Sequence, residues 1–178
     1  DYLQSKLLLF NDLLKKGETI ITDSNIKQFK DIKKIQVRRK LKLLTIGSNS
    51  NIFKILKHKI FENYQFLELK YKNKIYKLKI NLYGTIQIKN LLMAILAAKV
   101  CGINIEKILN KINKIKSVEG RLHLVRTLPN KSKIFLDYAH TPEALEKAII
   151  SLKEHFHKKI TILFGCGGER DKTKRRLM

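Results

Sequence analysis

The sequence has few cysteines and no cysteine cluster. Its two cysteines, Cys101 and Cys166, lie in different segments of the chain. A disulfide framework needs several paired cysteines, and a structural zinc site needs closely spaced cysteine and histidine ligands, so both classes are excluded. The fold must therefore depend on a hydrophobic core, which 178 residues with 44% hydrophobic side chains can form in one or two domains.

Long apolar runs, internal repeats and low-complexity segments are also missing. No uninterrupted apolar run approaches the ~20 residues of a membrane-spanning helix. The chain does not open with a charged segment followed by an apolar leader. These patterns predict a cytoplasmic protein without a membrane span, and they do not specify an oligomeric state.

Acidic residues are scarce, with 15 Asp and Glu against 38 Lys and Arg and a formal net charge of +23. A basic surface is typical of nucleic-acid binding. However, lysines occur in nearly every segment, only seven of the 38 basic residues are arginines, and no RNA- or DNA-binding motif accompanies them. We therefore predict no specific nucleic-acid partner, although a basic cleft would attract small polyanions such as nucleotides.

The first 116 residues predict alternating helices and strands. Hydrophobic periodicity indicates helices at 2–14, 24–34, 90–101 and 105–115, and strands at 19–22, 41–46, 64–71 and 74–82. The break at Lys72 and Asn73 predicts a β-hairpin between the last two strands. The polar segment at 117–120 then interrupts the periodicity and predicts a domain boundary.

The segment after the boundary has the pattern of a β-α-β unit. Ile134–Leu136 is an apolar run suited to a buried strand, and Thr141 followed by Pro142 is typical of a helix start. Ile160–Phe164 is a second apolar run, which predicts a parallel strand beside the first. In open α/β sheets, ligands bind beyond the carboxyl ends of parallel strands.

Polar residues follow both of these predicted strands, and we expect the chemistry there. Asp137 and His140 follow the first strand, and Glu169, Arg170 and Asp171 follow the second. The other histidines lack such a context, so we interpret them as surface or packing residues; they are His58, His123, His155 and His157.

Three motifs in order resemble the Mur ligase family. They are the G-R pair at 120–121, D-Y-A-H-T-P-E-A-L-E-K from residue 137, and F-G-C-G-G-E-R-D-K-T-K-R from residue 164. D-Y-L-Q-S-K-L-L-L-F at the start and G-T-I-Q-I-K-N-L-L-M-A-I from residue 84 are similar to segments of that family's central domain. The resemblance therefore extends over nearly the whole chain.

The resemblance implies an α/β fragment with two parts. Residues 1–116 would be the later part of the family's central, ATP-binding domain, and residues 117–178 the first half of its Rossmann-like C-terminal domain. The implied activity is ATP-dependent amide-bond formation in peptidoglycan synthesis. The substrates would be ATP with Mg²⁺, UDP-N-acetylmuramoyl-L-alanyl-D-glutamate and a diamino acid, which meso-2,6-diaminopimelate or lysine could supply. We expect the isolated fragment to be inactive.

The family motifs also imply roles for five residues. Asn90, Arg121, Asp137 and His140 match positions that contact the nucleotide, and Arg170 matches the arginine that holds the carboxylate of the incoming amino acid. Four of these residues, all except Asp137, have a structural alternative. Asn90 could cap a buried helix, His140 could be a capping or packed histidine, and each arginine could form a surface ion pair.

The chain departs from the family pattern in several places. It contains no G-T-N-G-K-T phosphate loop, so we expect no catalytic residue and no metal ligand within it. The family's Mg²⁺ ligands would precede the chain, and the D-N-P-R segment that selects the amino acid would follow it. Single residues that depart from the pattern are Ile86, Gln87, Glu169, Thr173 and Arg176.

Two other functions stay open at this point. A related ligase of the folylpolyglutamate synthase or cyanophycin synthetase type would share an Asp-x-Ala-His-like segment, although Thr141 and the G-C-G-G-E-R-D-K loop favour the muropeptide ligase. A non-catalytic module that binds nucleotides or nucleic acids is the alternative from a different class.

Overall fold

The computed structural model describes residues 2–166 and 173–178, which form an α/β fold divided into two compact units. The first unit comprises Asp1–Lys57, Glu68–Leu78 and Lys89–Lys111, and the second comprises His58–Leu67, Lys79–Ile88 and Ile112–Met178. Within the described residues, no helix combines the length and the apolar character needed to cross a lipid bilayer.

Helices and strands follow one another singly at the start of the chain and in groups after it. The helices are α1 (Tyr2–Leu8), α2 (Phe29–Arg39), α3 (Thr85–Val100), α4 (Ile105–Leu109), α5 (Pro142–His155) and α6 (Thr173–Leu177). The strands are β1 (Thr19–Asp23), β2 (Lys42–Ile46), β3 (Phe53–Ile60), β4 (Gln65–Tyr71), β5 (Lys74–Ile80), β6 (His123–Thr127) and β7 (Lys133–Leu136).

The first unit contains a β-α-β motif with its own core. Strands β1 and β2 are parallel, in a register that pairs Thr19 with Lys42 and Asp23 with Ile46. Helix α2 connects them, as a parallel pair requires. Burying a leucine or isoleucine side chain stabilises a fold by about 1.5–3 kcal/mol. The buried cluster consists of such residues; they are Leu7, Ile20, Ile32, Ile35 and Leu41.

Helix α2 starts five residues later than the sequence pattern predicts, so the predicted range 24–34 is wrong at its start. The Ser24 hydroxyl donates a hydrogen bond to the carbonyl of Ile46, and an Asp23 carboxylate oxygen accepts one from the Asn25 amide. These side-chain bonds favour a turn over a helix. The helix ends at Arg39, five residues after the predicted end. The next residue, Lys40, is the C-cap, with a left-handed φ of 52° and an amide that bonds back to the carbonyl of Gln36.

The predicted hairpin is present, and an unpredicted strand lies beside it. Strands β4 and β5 are joined by Lys72 and Asn73, and the order β3-β4-β5 gives a three-stranded sheet. The predicted helix at 105–115 is broken. It consists of α4, which Asn104 caps by accepting bonds from two backbone amides, and a separate 3₁₀ turn at Ile112–Lys114.

The second unit contains an antiparallel pair, β6 and β7, which leads into α5. The predicted second strand at Ile160–Phe164 is not formed, and Leu163 is fully exposed. An extended segment becomes a strand only when its backbone groups pair with a neighbour. No such pairing joins this segment to another strand within residues 2–166 and 173–178.

Candidate functional site

Two loops of the second unit are tied together by the carboxylate of Asp137. One carboxylate oxygen accepts a hydrogen bond from the Leu122 amide and the other accepts one from the Ala139 amide, each at 2.8 Å. The Tyr138 amide donates to the carbonyl of Gly120, also at 2.8 Å. Each carboxylate oxygen has two lone pairs, so one on each oxygen remains for a further donor. Asp137 therefore holds the two loops together and can still accept hydrogen bonds from hydroxyl groups.

The side chain of Tyr138 is 64% exposed and contacts two of the predicted nucleotide-binding residues. The guanidinium carbon of Arg121 lies 5.1 Å from the centre of the Tyr138 ring, which is within cation-π range. The ring of His140 meets the same ring nearly edge-on at 5.1 Å. The His140 Nδ1 donates to the carbonyl of Tyr138 at 3.0 Å, since a carbonyl can only accept.

These contacts bring Arg121, Asp137 and His140 together. Arg121 and His140 are both exposed to solvent. A planar cation, an imidazole and a carboxylate within one loop pair form a set of donors and acceptors suited to a ribose and its phosphates. Tyr138 belongs to the same motif, but the sequence pattern did not single it out.

Helix α5 begins at the predicted residue. The Thr141 hydroxyl accepts a hydrogen bond from the Ala144 amide at 3.2 Å, and Pro142 occupies the first helical position. Thr141 therefore caps the helix, and the capping alternative for His140 does not apply. The cap fixes the point at which the chain leaves the Asp137–His140 segment.

Asn90 belongs to the first unit, where it is exposed on α3. It lies in the second turn of that helix, not at its start, so the capping alternative does not apply to Asn90 either. The adjacent Lys89 forms an ion pair with the buried Asp23 at 2.7 Å, which attaches α3 to the carboxyl end of β1.

A polar cluster at the carboxyl ends of β1 and β2 was not predicted. The side-chain oxygen of Asn25 accepts hydrogen bonds from the Ser48 amide and hydroxyl, at 3.0 and 2.8 Å. Gly47 has a φ of +92°, and a Cβ there would lie 2.5 Å from an oxygen of Asp23. Both strands end in small polar residues, D-S-N and G-S-N-S-N, and this repeated pattern is the signal that could have indicated the cluster.

A second unpredicted feature is the burial of His155 in the second unit, where it is 4% exposed. Its Nε2 accepts from the Gly84 amide at 3.0 Å, and its Nδ1 donates to the carbonyl of Phe61 at 2.6 Å. Burial lowers the pKa of the His155 imidazole below its usual value, because a charged ring loses its hydration there. Of the two interpretations given from the sequence, a surface residue or a packing residue, the second is therefore correct for His155.

The predicted amino-acid-binding residue, Arg170, lies outside the described residues, as do Glu169 and Asp171. Cys166 precedes that segment and Met178 follows it, and their sulfur atoms lie 3.8 Å apart.

Two domain families match the sequence. The Mur ligase middle domain matches residues 1–98, and the Mur ligase glutamate ligase domain matches residues 120–178. The curated UDP-N-acetylmuramoyl-L-alanyl-D-glutamate–2,6-diaminopimelate ligase of Rickettsia bellii is 41% identical over 180 residues, covering 100% of this chain and 37% of the relative. The chain thus spans little more than a third of the length of that curated relative.

Solved structures share the fold. A UDP-N-acetylmuramoyl-L-alanyl-D-glutamate–2,6-diaminopimelate ligase superposes with a TM-score of 0.68 at 26% identity, over 99% of this chain and 36% of that chain. Mycobacterium tuberculosis folylpolyglutamate synthase, solved with ADP and AMPPCP, superposes with a TM-score of 0.61 at 19% identity, over 78% of this chain and 31% of that chain. At that lower identity the likeness is one of fold alone.

Proposed function

The chain belongs to the Mur ligase family, and from this premise we propose that it is part of an ATP-dependent ligase of peptidoglycan synthesis. The proposed reaction adds 2,6-diaminopimelate to UDP-N-acetylmuramoyl-L-alanyl-D-glutamate, as the names of the similar curated ligases indicate for those proteins. Such a ligase would act in the cytoplasm and serve cell-wall biogenesis, and with it cell shape and division.

The proposed chemistry has two steps. The terminal carboxylate of the muramoyl dipeptide attacks the γ-phosphorus of ATP, which forms an acyl phosphate and releases ADP. The amine of the amino acid then attacks the acyl carbon, the amide bond forms, phosphate leaves and the amine gives up a proton. The phosphate loop and the Mg²⁺ ligands would lie in parts of the parent protein that this chain does not contain, so the isolated chain should be inactive.

The observation that carries the proposal is the joining of the G-R and D-Y-A-H segments into one exposed loop pair. Arg121 lies over the ring of Tyr138, and its guanidinium is a fork of N–H donors, which suits phosphate or ribose oxygens. The free lone pairs of Asp137 suit ribose hydroxyls, and the exposed ring of His140 adds a further polar contact. Asn90 is proposed to contact the adenine from its exposed position on α3.

Arg170 is proposed to hold the carboxylate of the incoming amino acid. A guanidinium can bind a carboxylate through two parallel hydrogen bonds, which lysine cannot reproduce. The domain boundary is proposed to lie at residue 117, so that residues 1–116 belong to the middle domain and 117–178 to the C-terminal domain. The matched ranges, which end at 98 and resume at 120, support that position.

The test uses the complete protein encoded around this chain. ADP release and product mass are measured with ATP, the muramoyl dipeptide and either diaminopimelate or lysine. ADP release that depends on both substrates would support the proposal. ADP release that depends on a folate and glutamate would favour the folylpolyglutamate synthase alternative. Binding of random DNA that weakens steeply with salt, with no response to the muramoyl dipeptide, would favour a nucleic-acid-binding module.

A variant separates the roles of the two arginines. Arg170→Ala in the complete ligase should raise the KM for the amino acid by a factor equivalent to about 2 kcal/mol or more, as expected for a lost charged hydrogen bond. The KM for ATP should change little. A rise in the KM for ATP with an unchanged KM for the amino acid would contradict the role given to Arg170.

A further inference from the structure

The hydrogen bonds of His155 define which of its nitrogens carries the proton. An amide N–H can only donate, so Nε2 of His155 must be the acceptor for Gly84. A carbonyl can only accept, so Nδ1 must carry a proton for Phe61. Both bonds exist together only in the neutral ring with its proton on Nδ1. A second proton, on Nε2, would remove the acceptor and break the bond to Gly84.

Gly84 connects His155 to the loops of the proposed nucleotide site. Its φ is +82°, and a Cβ added there would lie 2.7 Å from the Ser151 hydroxyl and 2.9 Å from a methyl carbon of Leu122. The backbone of Gly84 therefore packs directly on Leu122, whose own amide donates to Asp137. The carbonyl of Gly84 accepts a hydrogen bond from Gln65 at 3.1 Å. Both backbone polar groups of Gly84 are thus hydrogen-bonded, the amide to His155 and the carbonyl to Gln65.

We propose that His155 is a positioning residue for the nucleotide site, which acts through Gly84 and Leu122 on Asp137 and is released when its Nε2 is protonated. The proposal rests on the proposed function, since it assigns Asp137 to nucleotide binding. It predicts that acidification weakens nucleotide binding through a residue at the far end of α5 from the D-Y-A-H motif.

Some neighbours of His155 lower the pKa of its ring and others raise it. Burial is the largest influence and lowers its pKa, and His58 of β3 lowers it further. The carbonyl of Phe61 and the carboxylate of Glu154 act in the opposite direction. Tyr83 contacts the ring at 5.1 Å, and burial raises the pKa of its hydroxyl, so it is neutral where His155 titrates.

Glu62, next to Phe61, bonds Lys133, and this hydrogen bond lowers the pKa of its carboxyl, so Glu62 stays ionised in the same range. Its charge therefore does not change while His155 titrates. His58 also reaches Gly84, since its Nε2 lies 2.8 Å from the side-chain oxygen of Gln65, and the Gln65 side-chain amide donates to the Gly84 carbonyl. A change in the Gly84 bond is therefore assigned to His155 where its midpoint matches that of the His155 ring and differs from that of His58.

The first experiment is an NMR titration of the ¹⁵N-labelled chain, from about pH 8 down to the pH at which the His155 ring is protonated. That pH lies below the usual range of histidine, because burial lowers the pKa of His155. The His155 ring nitrogens should report a neutral ring protonated on Nδ1 at the upper end. The Gly84 amide proton should shift, and exchange faster with solvent, with the same midpoint as the ring. A Gly84 amide that stays unchanged while His155 titrates would overturn the proposal. This test needs no variant.

The control variant is His157→Gln, which removes an exposed histidine two residues further along the chain. It should leave the titration of Gly84 unchanged. His155→Gln, with a neutral side chain that can donate and accept, should remove the titration. If the Gly84 midpoint followed His157 instead, the assignment to His155 would be wrong.

The second experiment measures the KM for ATP against pH in the complete ligase. If only the neutral ring permits tight binding, the KM should rise about twofold when half of the molecules are protonated, and up to about tenfold per further pH unit. His155→Gln should flatten this dependence relative to His157→Gln, with little change in kcat at neutral pH. An identical pH profile in the two variants would overturn the positioning role. Failure of the complete protein to use ATP would overturn the proposed function, while the NMR titration would still decide whether His155 controls Gly84.

Discussion

Replacement of Gly84 by alanine should destabilise the second unit strongly, for two separable reasons. A left-handed backbone costs a residue with a Cβ about 1–2 kcal/mol, and Gly84 has a φ of +82°. The added Cβ would also lie 2.7 Å from the Ser151 hydroxyl and 2.9 Å from Leu122, and overpacking of this kind costs about 1–3 kcal/mol. The smaller conformational freedom of alanine in the unfolded chain offsets about 0.4–1 kcal/mol. The expected net loss in the free energy of unfolding is about 1–5 kcal/mol, with a central value of about 3 kcal/mol.

Gly120 supplies the matched control within the same unit. Its φ is +69°, and among the described residues no heavy atom lies within 4 Å of the position of an added Cβ. Gly120→Ala should therefore show the backbone cost alone, about 1 kcal/mol.

The assay is native-state hydrogen exchange of amides in α5, with the wild-type chain and both variants under identical conditions. Exchange resolves the stability of this unit without assuming that the whole chain unfolds in one step. Equal losses in the two variants would refute the packing argument, because they would show that the neighbours of Gly84 move aside without cost. A larger loss for Gly84→Ala would support the close contact on which the proposed coupling of His155 depends.

Three further variants test single contacts. Thr141→Ala should lower the free energy of unfolding by about 1 kcal/mol through loss of the helix cap, and Thr141→Ser should restore it; equal stability of all three chains would contradict the cap. Lys89→Met should cost about 1–3 kcal/mol because it leaves the buried carboxylate of Asp23 without its cation. Adding Asp23→Asn should recover part of that loss, which urea unfolding of the single and double variants can measure. Arg121→Lys in the complete ligase should raise the KM for ATP about fivefold, since lysine lacks the planar fork of N–H donors that Arg121 holds over the Tyr138 ring. An unchanged KM would remove Arg121 from the site.

Local features of the chain were predicted well because their causes are local. Thr141 and Pro142 start α5 through a cap and a fixed φ, and the turn at Lys72 and Asn73 joins β4 to β5. The start of α2 was predicted wrongly because the Ser24 hydroxyl bonds to Ile46, a residue that is 22 positions away. Helical periodicity contains no information about such a partner.

The sequence motifs name candidate residues for the site but contain no information about their contacts. The motifs name Arg121, Asp137 and His140, and the structure brings these three together. The ring of Tyr138 contacts both Arg121 and His140. The hydrogen bond from the Tyr138 amide to the Gly120 carbonyl holds the two loops side by side and so makes these contacts possible. The expected strand at Ile160–Phe164 is not formed, because an apolar run becomes a strand only through pairing.

The sequence by itself determined the family, the start of α5, the β4-β5 hairpin and the identity of the residues in the D-Y-A-H motif, since each of these is encoded in neighbouring positions. Only the tertiary structure decided that His155 is buried and neutral. Its hydrogen-bond partner Phe61 is 94 positions away and its partner Gly84 is 71 positions away. A histidine at the end of an amphipathic helix has the same local pattern whether its ring faces water or a carbonyl, so its protonation state depends on which distant backbone groups the fold places against it.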